Sequence, residues 1–167
     1  MLSGETAVGK YPVKAVRMMG RICREAETEL IPRPLADAKT APRSRAAQIT
    51  EATTAGAGAA AEELQADLLV VATRTGKTAM ALSKQRRRVP ILALTDSPQT
   101  ARQMCLFWGV TPMQTPAVCY LPDKFLEWVV HEMQSHHLLF SGDKLVLVGN
   151  SRWQQRAHDL MLVHVLP

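Results

Sequence analysis

Residues 67–84 read Asp67-Leu68-Leu69-Val70-Val71-Ala72-Thr73-Arg74-Thr75-Gly76-Lys77-Thr78-Ala79-Met80-Ala81-Leu82-Ser83-Lys84, and this stretch decides the fold. Leu68 to Ala72 is a short unbroken apolar run, the pattern of a strand buried on both faces. Gly76 to Lys84 reads as a helix that begins almost at once. A strand feeding a helix across so short a loop is half of a βαβ unit, which predicts a parallel sheet.

The same rhythm repeats downstream. Pro90 to Leu94 is a second apolar run, and Ser97-Pro98 supplies the N-cap and first-turn proline of another helix, with Gly109 closing it. Val110 to Gln114 is a third, shorter strand. Asp123 to Phe140 is an amphipathic helix with Phe125, Trp128, Val129, Met133 and Leu139 on one side. Lys144 to Val148 and Leu160 to Val165 are two more strands with no helix between them, a connection that suits antiparallel pairing. Short strands alternating with helices, joined by right-handed crossovers, predict a three-layer α/β/α domain with a mainly parallel sheet of about five strands.

Upstream, Arg45 to Gln65 is Ala-rich and helical by propensity, with few large apolar residues and with Gly56 and Gly58 available for close packing. Ile31 to Ser44 carries Pro32, Pro34 and Pro42 without apolar period and reads as a linker. Tyr11 to Leu30 reads as a helix, with Val13, Val16, Met19, Cys23, Ala26 and Leu30 on one face and Pro12 in the first turn. That apolar face needs a partner. Met1 to Thr6 looks like the end of a buried strand running into a polar loop, as though the chain began in the middle of a larger unit.

Composition narrows the function classes. Of 167 residues, 47% are hydrophobic and 21% charged, values of a globular chain rather than a disordered one. No apolar run approaches the ~20 residues that cross a bilayer, and the N-terminus has no signal-peptide pattern, so no membrane partner is expected. Cys23, Cys105 and Cys119 lack metal or disulfide spacing, and a reducing cytoplasm fits them best. The net charge of +5 suits anionic ligands, but the basic residues are scattered and aromatics make up only 5%. Nucleic acid is therefore not an expected partner.

One loop is built for an anion. Thr73-Arg74-Thr75-Gly76-Lys77-Thr78 follows a strand, opens a helix, and offers three hydroxyls, two cations, a glycine for close approach and the N–H groups of a helix start. All of these favour phosphate. Gly76-Lys77-Thr78 also matches the end of a Walker A loop, but position 71, where the first glycine belongs, is Val71. A monophosphate or sugar-phosphate cradle needs less than a triphosphate wrap.

Other candidates are weaker. His131-Glu132 begins like H-E-x-x-H, yet the next histidine is His136, about 140° further round a helix, so no metal is expected. Asp96 reads as a turn residue, and Arg86-Arg87-Arg88 as a solvated helix end. Arg152 and Trp153, in the Asn150–His158 connection, are candidates to close over an anion at the Thr73 loop.

The residues that carry these features also resemble the pyruvate kinase family. Met1-Leu2-Ser3-Gly4-Glu5-Thr6-Ala7, with Gly9-Lys10-Tyr11-Pro12 and Ala15-Val16, is similar to the last βα segment of that family's catalytic barrel. Val70 to Ala79, Pro90 to Thr95, Pro98 to Gln103 and Gly109-Val110 resemble its C-terminal domain, in order. The resemblance implies a barrel remnant over residues 1–30, a linker over 31–44 and a C-terminal α/β domain over 45–167. It implies a phosphorylated small-molecule effector at Thr73, Arg74, Thr75, Gly76, Lys77 and Thr78, matching the family's Thr-x-Ser/Thr-Gly-x-Ser/Thr loop, and a homo-oligomer assembled through this domain. The family's reaction passes a phosphoryl group from phosphoenolpyruvate to ADP. Its catalytic lysine and its Mg and K sites belong to barrel segments with no counterpart here, so no cofactor and no catalytic residue are expected in this chain. The family's effector loop is often rich in Gly and Pro, whereas here it reads Asn150-Ser151-Arg152-Trp153-Gln154-Gln155-Arg156. The rival expectations are a free-standing phosphate-binding α/β module and a purely structural interface domain.

Overall fold

The computed structural model describes residues 1–29, 44–151 and 157–167. The chain divides into two units, Met1–Ile31 and Pro32–Pro167. In the first, α1 (Gly4–Ala7) is followed by α2 (Pro12–Thr28). Met1 to Thr6 is thus not a strand end. A strand must hydrogen-bond to a neighbour, and here the Thr6 and Ala7 N–H groups instead donate to the Ser3 carbonyl, and Val8 N–H to Gly4, closing a helical turn. Helix α2 has Pro12 in its first turn as expected, and none of its residues is buried.

In the second unit, α3 (Arg45–Glu63), β1 (Leu68–Ala72), α4 (Lys77–Lys84), β2 (Ile91–Thr95), α5 (Pro98–Met104), β3 (Val110–Gln114), a 3₁₀ turn (Pro116–Cys119), α6 (Pro122–Ser135), β4 (Lys144–Gly149) and β5 (Leu160–Val165) follow in order. The sheet order is β3-β2-β1-β4-β5. The β1–β2, β2–β3 and β1–β4 pairs are parallel, and β4–β5 is antiparallel.

The apolar strands feed two cores, because successive side chains of a strand point to opposite faces. Val70, Ala72, Leu92, Leu94, Leu145 and Leu147 pack on Ala117 and Val118 of the 3₁₀ turn and on Phe125, Val129 and Met133 of α6. Leu69, Val71, Ile91, Ala93, Val146 and Val148 pack on Ala57 and Ala61 of α3, Ala79 and Leu82 of α4, and Met104 of α5. Each fully buried aliphatic chain of this size contributes about 1.5–3 kcal/mol by leaving water. The result is a three-layer α/β/α domain with a five-stranded, mainly parallel sheet.

Three local expectations change. Helix α6 ends at Ser135 rather than Phe140, because His137 turns left-handed (φ 55°) and the Leu138 N–H donates to the Met133 carbonyl at 2.9 Å, a Schellman stop. Helix α5 ends at Met104, so Gly109 (φ 69°) does not close it but turns the chain into β3. Of the two glycines in α3, Gly58 makes the close approach: a Cβ there would land on the Gln85 side-chain oxygen and 3.0 Å from Arg87 Nε, whereas Gly56 faces open space. The linker reading for 31–44 falls, apart from Ser44, outside the described residues. Ser44 itself caps α3 by accepting from the Ala47 N–H.

Candidate functional site

The Thr73–Thr78 loop leaves the carboxyl end of β1, the middle strand of the sheet, and enters α4; in open α/β sheets ligands gather beyond such strand ends. Its backbone is held from several sides. The Thr73 N–H donates to the Leu94 carbonyl of β2 at 2.8 Å, and the Gly76 N–H donates to Thr73 Oγ1 at 3.1 Å. From α5, the Thr100 hydroxyl donates to the Arg74 carbonyl at 3.0 Å. Gly76 is left-handed (φ 74°), and a Cβ there would stand 3.3 Å from Met104 Cγ and 3.5 Å from Thr100 Cγ2. Only glycine meets both demands without strain.

Gly76 is also the N-cap of α4, so the helix has no side-chain cap. Serine hydroxyls cap α3 and α5. The first-turn N–H groups of α4 are thus left to an acceptor from outside the helix. Arg74, Thr75 and Lys77 are exposed, whereas Thr73, Gly76 and Thr78 are buried. The loop presents two cations and one hydroxyl to solvent over a rigid buried floor.

The floor includes a residue that sequence reasoning missed. His158, just before β5, lies with its ring between the end of β1 and the start of α4. Its Nε2 is 2.7 Å from the Ala72 carbonyl and its Nδ1 is 3.1 Å from Thr78 Oγ1. A carbonyl only accepts, so Nε2 carries a hydrogen. The His158 backbone N–H donates to Thr50 Oγ1 of α3 at 2.9 Å. Burial pushes the imidazole pKa down, outweighing the upward pull of the Ala72 hydrogen bond and the Asp159 charge. Thr78 and His158 are 80 residues apart, a separation no local motif spans.

The flanks of the Asn150–His158 connection are tied down beside this floor. The Ser151 N–H and hydroxyl each donate to the Asp159 carboxylate at 2.8 Å, and Asn150 Nδ2 donates to the Ala157 carbonyl at 2.9 Å. Burial pushes the Asp159 carboxyl up, but the Ser151 bonds pull it below its ordinary value. Arg152 and Trp153 lie outside the described residues.

Elsewhere, the arginine run is not merely solvated. Arg86 stacks over the Trp108 ring at 5.0 Å, and Arg87 pairs with Glu62 of α3 while donating to buried Gln85. The run anchors the end of α4 to α3 because Gln85 Nε2 also bonds the Thr54 carbonyl. His136 pairs with Glu132 at 3.2 Å on the outward face at the end of α6. Among the described residues, no group of three or more His, Cys, Asp or Glu is arranged to hold a metal ion, and no helix is long and apolar enough to cross a membrane.

A family model described as "Pyruvate kinase, alpha/beta domain" matches residues 51–164, more than half of the chain. Among similar proteins, "Pyruvate kinase PKLR" of Homo sapiens is 45% identical over 159 residues, covering 91% of this chain and 27% of its own length. "Pyruvate kinase 2" of Synechocystis is 36% identical over 169 residues, covering 99% of this chain and 27% of its own length. A crystal structure of a pyruvate kinase from Cryptosporidium parvum aligns with a TM-score of 0.75 at 28% identity, covering 100% of this chain and 32% of that one. The chain therefore spans about a quarter to a third of the proteins it matches.

Proposed function

Because this chain belongs to the pyruvate kinase family and carries its C-terminal α/β domain, we propose that it is a regulatory and assembly portion of such an enzyme, binding a phosphorylated small-molecule effector at Thr73, Arg74, Thr75, Gly76, Lys77 and Thr78. The observation that carries this reading is the left-handed Gly76, which gives up side-chain capping of α4 in a loop that also exposes Arg74 and Lys77. Free helix N–H groups and adjacent cations are what a phosphate dianion requires. Self-assembly is supported by β5, an edge strand whose Met161, Val163 and Val165 are 43–56% exposed. Among the described residues no strand pairs with the outer side of β5, and such an edge beside an apolar row is a template for another strand.

The parent reaction, phosphoryl transfer from phosphoenolpyruvate to ADP, is not assigned to this chain. Phosphoenolpyruvate and ADP mixed with the purified chain should yield no pyruvate, and measurable turnover would overturn this part of the reading. The binding test is calorimetric titration with fructose bisphosphate, ribose 5-phosphate and AMP, with Arg74→Ala as control. Saturable heat lost in the variant supports the effector reading and names the ligand class. Silence for all three from a folded chain leaves the purely structural interface domain.

A further inference from the structure

Thr78 has a single hydroxyl proton, and His158 decides where that proton points. In the neutral ring, Nε2–H donates to the Ala72 carbonyl at 2.7 Å, which leaves Nδ1 as a bare lone pair 3.1 Å from Thr78 Oγ1. The hydroxyl must then donate to Nδ1, presenting only lone pairs elsewhere. A protonated ring reverses this: Nδ1–H donates to Thr78 Oγ1, and the hydroxyl proton is released to an acceptor at the loop. We propose that His158 is the positioning residue of the phosphate loop, coupling anion binding at Thr73–Thr78 to uptake of one proton by its imidazole. The inference rests on the effector reading above and specifies how that site is regulated.

The surroundings suit the role. The groups that face His158 from the elements packed on it are the Ala72 carbonyl of β1, the Thr78 hydroxyl of α4 and the Thr50 hydroxyl of α3, none of which titrates near neutral pH. Among the described residues, the charged group acting on the ring is the adjacent Asp159 carboxylate, which favours protonation. The loop cations Arg74 and Lys77 are exposed and screened by solvent. Burial holds the ring neutral at pH 7 without ligand, so a bound dianion has room to raise its affinity for a proton. Linkage makes the effect reciprocal: the anion raises the imidazole pKa, and acidification tightens the anion.

Sulfate is the probe of choice, since it remains a dianion throughout the range and any pH dependence belongs to the protein. Loop amide shifts of the full chain, followed by NMR from about pH 7.5 to about pH 5.0, should show sulfate affinity rising about tenfold. The His158 imidazole pKa should rise on saturation. His158→Gln keeps a hydrogen-bonding side chain that cannot titrate, and should flatten the profile. A merely structural histidine would instead shift affinity equally at every pH. Wild-type affinity independent of pH, an unmoved imidazole pKa, or an unchanged slope in His158→Gln overturns the coupling alone. Absence of any sulfate response in the loop overturns the effector reading and the coupling with it. Should His158→Gln fail to fold, the wild-type imidazole titration with and without sulfate decides the matter unaided.

Discussion

Two strand-to-helix loops stand side by side at the same end of the sheet, and they end their strands differently. After β2, Asp96-Ser97 passes directly into α5, and the Ser97 hydroxyl accepts from the Thr100 N–H at 3.2 Å. After β1, the chain spends four residues, Thr73 to Gly76, reaching α4, and arrives with no side-chain cap, a left-handed glycine and two exposed cations. The first loop is complete in itself. The second satisfies its backbone from beneath, through Thr73, Thr100 and His158, and turns Arg74, Thr75 and Lys77 outward. The difference teaches that a helix start capped by a serine satisfies one of its own N–H groups, whereas one capped by a glycine leaves that group to an acceptor outside the helix.

The largest effect should come from breaking the second loop at Gly76. In Gly76→Val, a β-branched residue is forced to φ 74° with its Cβ 3.3 Å from Met104 Cγ. The left-handed penalty alone is about 1–2 kcal/mol, and the crowding adds to it. The melting temperature should drop by several degrees and phosphate-ligand binding should vanish. A Gly76→Val protein that melts like wild type would show that the loop is free to relax, contrary to the rigid floor described above. Ser97→Ala breaks the first loop instead. It should cost about 1 kcal/mol in urea denaturation, with ligand affinity little changed, because the cap it removes binds the Thr100 N–H and leaves the Thr100 hydroxyl on the Arg74 carbonyl.

The sequence disclosed these two loops unequally. Ser97-Pro98 was legible as a cap because its partners lie within one turn, and the β1 loop was legible as a candidate for an anion because its cations and glycine are contiguous. The strands were legible for the same reason, as runs such as Leu68–Ala72 carry their burial in their own composition. His158 was not legible. Its partners Ala72, Thr78 and Thr50 are brought to it by strand order, and β5 returning antiparallel beside β4 is what delivers it to the site. The stop of α6 was hidden similarly, since a left-handed histidine with a polar neighbour carries no glycine signal. In the first unit, Met1–Thr6 looks like the end of a strand running into a polar loop, but two apolar residues supply no partner, and the backbone closed on itself as a helical turn.

Acid titration sharpens the comparison at smaller amplitude. His158 has a folded-state pKa below the ordinary 6.5, so the unfolded chain takes up the proton first as pH falls. Its contribution to stability is therefore intact above that value and is lost progressively as pH falls below 6.5 toward the folded-state pKa. Asp159, with its pKa below the ordinary 3.8, loses its contribution only in a separate, more acidic window. Urea midpoints measured against pH should show the first loss in wild type and not in His158→Gln. Equal slopes in the two proteins would mean that the ring titrates as it does in the unfolded chain.

The smallest effect on folding is expected at the two cations, where binding nevertheless weakens. Lys77 is exposed on the first turn of α4 and Arg74 is exposed in the loop before it. Exposed substitutions of this kind change stability by only about 0.5 kcal/mol or less. A charge-assisted bond to phosphate is worth about 1.5–3 kcal/mol, which corresponds to an affinity loss of about tenfold or more for each cation removed. Lys77→Ala and Arg74→Ala should thus melt within a degree or two of wild type while weakening the titrated ligand by at least that factor. Ser97→Ala reports the opposite pattern, with stability lost and affinity kept. If the cation variants bind as wild type does, the two loops differ only in backbone geometry, and the glycine start of α4 serves packing against Met104 and Thr100 rather than a ligand.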